Sequence, residues 1–369
     1  MFDIFILILA GLLYFIRILI FSYGSNKERH ASYPKYNEYS EEFISVIIPA
    51  RNEENNIERC ILSLLDSDYS LDKFEIIVVN DRSEDKTLEI IELYADKIQI
   101  VNIENNNTDK NLQGKVGAIQ AGIDMSKGEI LMFTDADCRV DKSWIKTFSQ
   151  LYKETQSDMI ASFTLIDGKN LFDKVQAVEW VMIHTMASGE VGSGSPYGCF
   201  GNNVSFRKSS YNSIGGYKNI DFSITEDLAL MQAMHKNNKE IIYICNPNAV
   251  VYTKPEKNIN DFLNQQKRWA MGGKALKWKA TLYISTSILI WLSIIINLIF
   301  ANYNLMLITI FIKILGDLIV LIPSLKELNL SKYYLFSIPT VFIFMLLELV
   351  IPLLLLDNKV VWKGQEFKG

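Results

Sequence analysis

Asp135 and Asp137 stand two positions apart, directly after the apolar run Ile130–Phe133. Alternate positions of an extended chain share a side, so the two carboxylates face one way. Two hard oxygen donors in this arrangement suit Mg²⁺ or Mn²⁺ bridging a diphosphate, although such a triplet also makes solvated turns. Asp81 ends another apolar run, placed either to accept from a base or ribose donor or to cap the helix that follows. Lys115, after Gly114, opens a helical stretch where it can meet phosphate or solvent. Asp227, in Thr225-Glu226-Asp227, opens a further helix, and an acid there is a base or simply a partner of the helix dipole. The stretch Gln265-Gln266-Lys267-Arg268-Trp269 has the look of an interfacial helix.

The elements that must position these groups alternate in type. Ile44–Ile48, Ile76–Val79, Ile98–Ile103 and Ile130–Phe133 read as buried strands, and Asn55–Leu65, Asp85–Tyr94 and Val116–Ile123 carry helical periodicity. Strand and helix in alternation predict an α/β fold whose sheet is mostly parallel and covered on both faces. Ligands of such sheets bind beyond the carboxyl ends of the strands. Those ends carry Pro49-Ala50-Arg51-Asn52-Glu53, Asn80-Asp81 and Thr134-Asp135-Ala136-Asp137. No G-x-G-x-x-G follows the first strand and no G-K-[ST] loop occurs, so dinucleotide and P-loop readings lack support.

Both ends of the chain are apolar. Ile4–Phe21 holds no charge except Arg17, and Thr281–Ile312 holds none, with a turn signal at Asn302-Tyr303-Asn304. Spans are expected at Ile4–Phe21, Leu282–Phe300 and Leu305–Ile322, with Lys313 and Asp317 neutralising one another at i and i+4. Tyr334–Leu356, with Pro339, Glu348 and Pro352, is expected to be a kinked or re-entrant segment. Lys27, Arg29 and Lys35 follow the first span and Arg268, Lys274, Lys277 and Lys279 precede the second, so the block between them is expected in the cytoplasm of a multi-pass cell-membrane protein. Lys359, Lys363 and Lys368 in the tail also favour the inside, against the outside position that four full spans imply.

Composition narrows the class further. The chain of 369 residues has 37 Lys+Arg against 42 Asp+Glu, a net −5, which argues against a nucleic-acid partner. The four cysteines include no C-x-x-C, and His30, His184 and His235 are scattered, so zinc, disulfide and histidine-triad readings are not supported. Trp180–Met186 reads as core or membrane-facing packing rather than a sugar platform.

Order and spacing of the motifs resemble the membrane-bound family 2 glycosyltransferases of GT-A fold, the group that includes cellulose, hyaluronan and poly-N-acetylglucosamine synthases. The resemblance implies that Pro49, Ala50, Arg51 and Glu53 belong to the first nucleotide-binding loop, that Asp81 contacts the base, and that Lys115 lies beside the diphosphate. It makes Asp135-Ala136-Asp137 the D-x-D metal motif, with Asp137 the more direct ligand. Gly201 and Asn202 are similar to the wall between donor sugar and acceptor. Thr225-Glu226-Asp227 matches the T-E-D motif whose aspartate is the base, and Gln265-x-x-Arg268-Trp269 matches Q-x-x-R-W. Trp362-Lys363-Gly364 resembles a W-[KR]-G-R tail, but Gln365 stands where Arg is expected.

The expected function is inverting, metal-dependent transfer from a nucleotide sugar, a UDP-sugar first, to a lipid or lipid-linked acceptor. The small number of spans favours that acceptor over an exported glycan, by analogy. The alternatives are a processive polysaccharide synthase working with a partner membrane subunit and a membrane nucleotidyltransferase. The expected organisation is an anchor at residues 1–24, a catalytic domain at 41–279, a membrane region at 280–358 and a tail at 359–369.

Overall fold

The computed structural model describes residues 2–35, 38–40, 42–105, 109–273, 278–357, 359–362 and 365–368. Lys274, Lys277 and Lys363 of the basic clusters, and Gly364 of the tail motif, lie outside them. After helix α1 (Phe2–Ala31), the chain alternates β1 (Ile44–Ala50), α2 (Ile57–Leu65), β2 (Phe74–Asp81), α3 (Thr87–Glu92), β3 (Gln99–Ile103), α4 (Lys115–Met125) and β4 (Ile130–Phe133). The strand and helix runs expected from the sequence fall on these elements, with ends displaced by a few residues. Next come β5 (Arg139–Val140), α5 (Trp144–Thr155), β6 (Met159–Ser162), β7 (Thr164–Ile166), α6 (Leu171–Gly192), β8 (Val204–Arg207), α7 (Lys208–Ser213), α8 (Glu226–Lys236), β9 (Ile241–Ile244), β10 (Val251–Thr253) and α9 (Ile259–Gly273). The C-terminal part is α10 (Trp278–Ile299), α11 (Tyr303–Glu327), α12 (Tyr334–Leu354) and the hairpin β11 (Lys359–Trp362) and β12 (Gln365–Lys368).

The main sheet has seven strands in the order β3-β2-β1-β4-β8-β6-β9. Strands β3, β2, β1 and β4 are parallel, β8 is antiparallel to both its neighbours, and β6 and β9 are parallel. The sheet is therefore mostly parallel, as the alternation predicts. Successive strand residues supply opposite faces. Ile47, Ile77, Val79 and Leu131 join one core with α4 and α6, while Val46, Ile48, Val78 and Met132 join another with α2 and α5. Because both faces are covered, the strands are apolar throughout rather than alternating.

The first of those cores does not stop at the catalytic fold: Ala10, Tyr14, Ile18 and Phe21 of α1 and Val320, Leu321 and Leu325 of α11 belong to it. Helix α1 runs past the expected end at Phe21 and lies along α6. The two approach so closely at Gly24, Gly189 and Gly192 that a Cβ on Gly192 would stand 2.2 Å from the Gly24 carbonyl oxygen. Glu28 then accepts the Tyr243 N–H at 2.7 Å, and the Ser32 hydroxyl oxygen accepts that of Cys245 at the same distance. The N-terminal segment thereby satisfies donors at the β9 edge that would otherwise invite another strand.

Among the described residues, three helical segments are long and apolar enough to cross a membrane: Asp3–Ala31, Tyr303–Glu327 and Ser331–Leu354. Tyr283–Ile299 is a shorter apolar helix. Residues Tyr334–Leu354 form one helix with Pro339 and Pro352 inside it. The expected Lys313–Asp317 pair closes at 2.7 Å and is fully buried, and it is part of a larger group. Lys313 lies 3.3 Å from Glu348, Arg17 lies 3.6 Å from the same carboxylate, and the Tyr14 hydroxyl donates to Asp317.

Candidate active site

In the sheet, β1 has β2 on one side and β4 on the other, so the chain switches direction of travel at β1 and leaves a crevice beyond the strand ends there. Pro49, Ala50, Arg51 and Glu53 leave β1 into it, Asp81 is the last residue of β2, and Asp135 and Asp137 follow β4. Strand β8 runs the other way, with Val204 opposite Phe133. Its antiparallel course brings Gly201 and Asn202, just before β8, beside the loop that follows β4. Lys115 at the start of α4, Glu226 and Asp227 at the start of α8, and Gln265, Arg268 and Trp269 on α9 also line this one cavity of about 210 Å³. All fifteen residues singled out from the sequence thus lie around one space.

Lys115 stands among three acids of the cavity. Lys115 Nζ is 2.7 Å from Asp135 and 3.2 Å from Glu226. Burial opposes its charge, but Asp135, Glu226 and Asp227 outweigh that and hold its pKa above the usual lysine value. Asp227 accepts the Gly201 N–H at 2.6 Å and the Leu228 N–H at 2.8 Å, which fixes both carboxylate oxygens. Burial and the neighbouring Glu226 push its carboxyl up to about 7, against the opposing pull of Lys115 and the two N–H donors. A carboxylate with that pKa suits proton transfer near neutral pH. At the mouth of β1, Arg51 buries Nε and Nη1 without hydrogen-bond partners, donors that an anionic ligand would satisfy.

The D-x-D loop is tied down from behind. Arg59 Nη2 donates to the Asp137 carbonyl at 2.7 Å, the Cys60 thiol to the Asp135 carbonyl at 3.6 Å, and the Cys138 thiol to Asp137 Oδ1 at 3.3 Å. Burial and then the two aspartates push the Cys60 and Cys138 thiols up, so both stay protonated donors. Among the described residues no group of three His, Cys, Asp or Glu side chains could hold a metal unaided. A D-x-D pair at the edge of a cavity fits a different kind of ion, one that takes one or two carboxylates and completes its shell with phosphate oxygens and water.

One side of the cavity is aromatic. Trp269 meets Trp180 and Phe200 edge-on, with centroids 5.5 and 5.6 Å apart. Gln265 donates to Glu256 at 2.8 Å, and Asn202 accepts from the Thr164 hydroxyl at 2.8 Å. Trp180 belongs to the core, as its helical spacing predicts, yet it also lines the cavity. The sequence reasoning missed Phe200, Glu256, Arg59 and Cys138. The position of Cys138 directly after the D-x-D triplet was the one local signal; the others come from segments far away in sequence. His184 is a satisfied core histidine: Nε2 accepts the Thr164 N–H, Nδ1 pairs with the Tyr243 hydroxyl, and burial lowers its pKa to about 3.

The family model for glycosyl transferase family 2 matches residues 45–215. The probable glycosyltransferase YdaM of Bacillus subtilis is 26% identical over 247 residues, 65% of this chain and 58% of that protein. The beta-monoglucosyldiacylglycerol synthase of Trichormus variabilis is 26% identical over 257 residues, 67% of this chain and 52% of that one. The chain thus spans little more than half the length of these relatives. Among solved structures, the mannosyltransferase PcManGT from Pyrobaculum calidifontis, in complex with GDP-Man and Mn²⁺, superposes with a TM-score of 0.60 over 92% of this chain and 98% of that one. At 15% identity that likeness is one of fold. With a GT-A sheet, a family 2 match from the start of β1 to beyond β8, and glycosyltransferases as relatives, residues 45–215 form a glycosyl transferase family 2 domain.

Proposed function

We propose that this enzyme moves a sugar, with inversion, from a nucleotide sugar to a lipid acceptor at the surface of the cell membrane. The observation that carries the reading is the convergence of Asp81, Asp135, Asp137, Asp227 and Gln265–Trp269 on one cavity whose last wall, α9, leads into the apolar helices. Asp81 receives the base, a uracil in the first donor to test, while Arg51 and Lys115 face the diphosphate. Asp135 and Asp137 would hold Mg²⁺ or Mn²⁺, which neutralises charge on the departing nucleoside diphosphate. Asp227 takes the proton of an acceptor hydroxyl whose oxygen bonds to the anomeric carbon as the bond to the phosphate oxygen breaks. Arg268, always charged, offers a fork to phosphate oxygens, and Trp269 supports the acceptor.

The same reading assigns residues 41–279 as the catalytic unit on the cytoplasmic side, residues 1–24 and 280–358 as its membrane parts, and residues 359–369 as a tail. The relative that synthesises a monoglucosyldiacylglycerol supports a lipid acceptor. The test is a donor screen: the full chain in phosphatidylcholine nanodiscs, a panel of nucleotide sugars, and release of the nucleoside diphosphate with and without Mn²⁺. One donor should turn over, EDTA should abolish the activity, and Asp137→Asn should remove metal activation while the thermal midpoint is kept. Full turnover in chelator refutes the metal role.

A further inference from the structure

A second cavity, about 310 Å³, lies beside the first and is lined mainly by α6, α9 and α12. The two share Cys199, Phe200, Thr225 and Trp269 as walls, so the space around Asp227 adjoins it directly. Its lining is almost wholly apolar, with Ile183 and Met186 from α6, Leu228 beside the base, and Phe344, Leu347 and Ile351 from a helix long and apolar enough to cross a membrane. The charged side chains of this lining are acids. Glu190 holds the Tyr283 hydroxyl, and Glu348, which receives Lys313 and Arg17 on Oε1, buries Oε2 without a hydrogen-bond partner.

We propose that this groove seats the hydrocarbon of the acceptor, and that the acceptor is an uncharged lipid alcohol rather than a lipid phosphate. The inference rests on the lipid-acceptor reading above and narrows it. A chain lying against Met186 and Leu347 brings its headgroup past Trp269 to Asp227. Glu348 is balanced by Lys313 and Arg17, but an anionic headgroup on that path would pass Glu190 and then meet Glu226 and Asp227, like charges at short range. A hydroxyl meets the same acids as hydrogen-bond acceptors. The reaction agrees: the hydroxyl oxygen bonds to the anomeric carbon, its proton goes to Asp227, and the nucleoside diphosphate leaves with the electron pair of the broken bond. A lipid phosphate arrives already ionised and has no use for the base that Gly201 and Leu228 hold in place.

The test uses the full chain in phosphatidylcholine nanodiscs with the donor selected by the screen, labelled in its sugar. The nanodiscs are doped separately with dioleoylglycerol, ceramide, cholesterol or undecaprenyl phosphate. Labelled glycolipid should form with at least one of the three alcohols, at a rate about tenfold or more above undecaprenyl phosphate. Product with undecaprenyl phosphate at an equal or higher rate overturns the inference and leaves the lipid-acceptor reading standing. Product with none of the four, while the donor still turns over, overturns both. Filling the groove with Met186→Trp should raise KM for the preferred alcohol about tenfold, the scale of one displaced apolar side chain. The Kd of the nucleoside diphosphate, by calorimetry, should stay that of the parent. An unchanged acceptor KM in a folded Met186→Trp protein overturns the groove assignment.

Discussion

Asp227 shows how much of a residue's chemistry its surroundings decide. An ordinary aspartate is a weak base at neutral pH, but burial and Glu226 carry this one up to about 7. Below that pH it is protonated and cannot take the acceptor's proton, so kcat/KM should fall as pH drops through about 7 and level off above it. Lys115 does not contribute to this limb, because its surrounding carboxylates keep it charged. Asp227→Asn should lower kcat by about 10² to 10⁴, the worth of a general base, with nucleotide affinity retained. The acid limb should vanish from the residual rate. A pH profile of the variant that keeps the parental limb would move the base elsewhere, first to Glu226. Arg268→Lys should also lose most transfer, because a point charge does not reproduce a bidentate fork; steady-state rates on the selected donor measure it.

The helix pair α1 and α6 is held by the absence of side chains. A Cβ on Gly189 would come within 2.7 Å of the Phe21 backbone, and one on Gly24 within 1.9 Å of the Gly189 carbonyl. Neither neighbour is the free end of a flexible chain, so the backbones themselves must part. Gly189→Leu should therefore destabilise the protein by about 1–3 kcal/mol or more, as overpacked interiors do. It should also loosen the β9 edge, where Glu28 and Ser32 accept backbone donors. Hydrogen exchange at Tyr243 and Cys245 should rise in the variant while β1 and β2 remain protected. The same segment reads in the sequence as an apolar span ending at Phe21 in an anchor of residues 1–24, because hydropathy registers where apolar side chains stop and not what the next turns of helix touch.

At the level of the whole molecule, the apolar helices and the catalytic fold share a core, and four charges from three helices are buried together among the former. Arg17 and Lys313 balance Asp317 and Glu348. Removing one partner leaves the remainder uncompensated, so Lys313→Ala should cost about 3–5 kcal/mol, read as a lower thermal midpoint in detergent. The basic residues flanking residues 41–279 are the ground on which we propose a cytoplasmic position for that block. The four native cysteines are free and buried, which gives a quiet background for labelling. Leu93→Cys, at a position 73% exposed, should resist an impermeant maleimide in intact cells and react after permeabilisation. Reaction in intact cells would reverse the orientation.

The parallel strands, their flanking helices and the apolar ends were legible in the sequence because each is a local pattern: β-branched runs, 3.6-residue periodicity, or a long stretch without charge. The candidate site was legible as types and order, since a D-x-D after a strand or Q-x-x-R-W before an apolar region is also local. What the sequence alone could not determine was contact across the chain. Whether Lys115 reaches Asp135, whether Gly201 holds Asp227 and whether Trp180 faces the cavity depend on β8 running antiparallel to β4 and on α9 folding back over the strand ends. The pair Lys313 and Asp317 could be anticipated from four-residue spacing, but Arg17 and Glu348 join it from 296 and 35 positions away, at separations where no periodicity operates. The groove beside Asp227 is decided wholly by tertiary structure, because its walls come from helices that meet only when the catalytic fold and the apolar helices close on a common core.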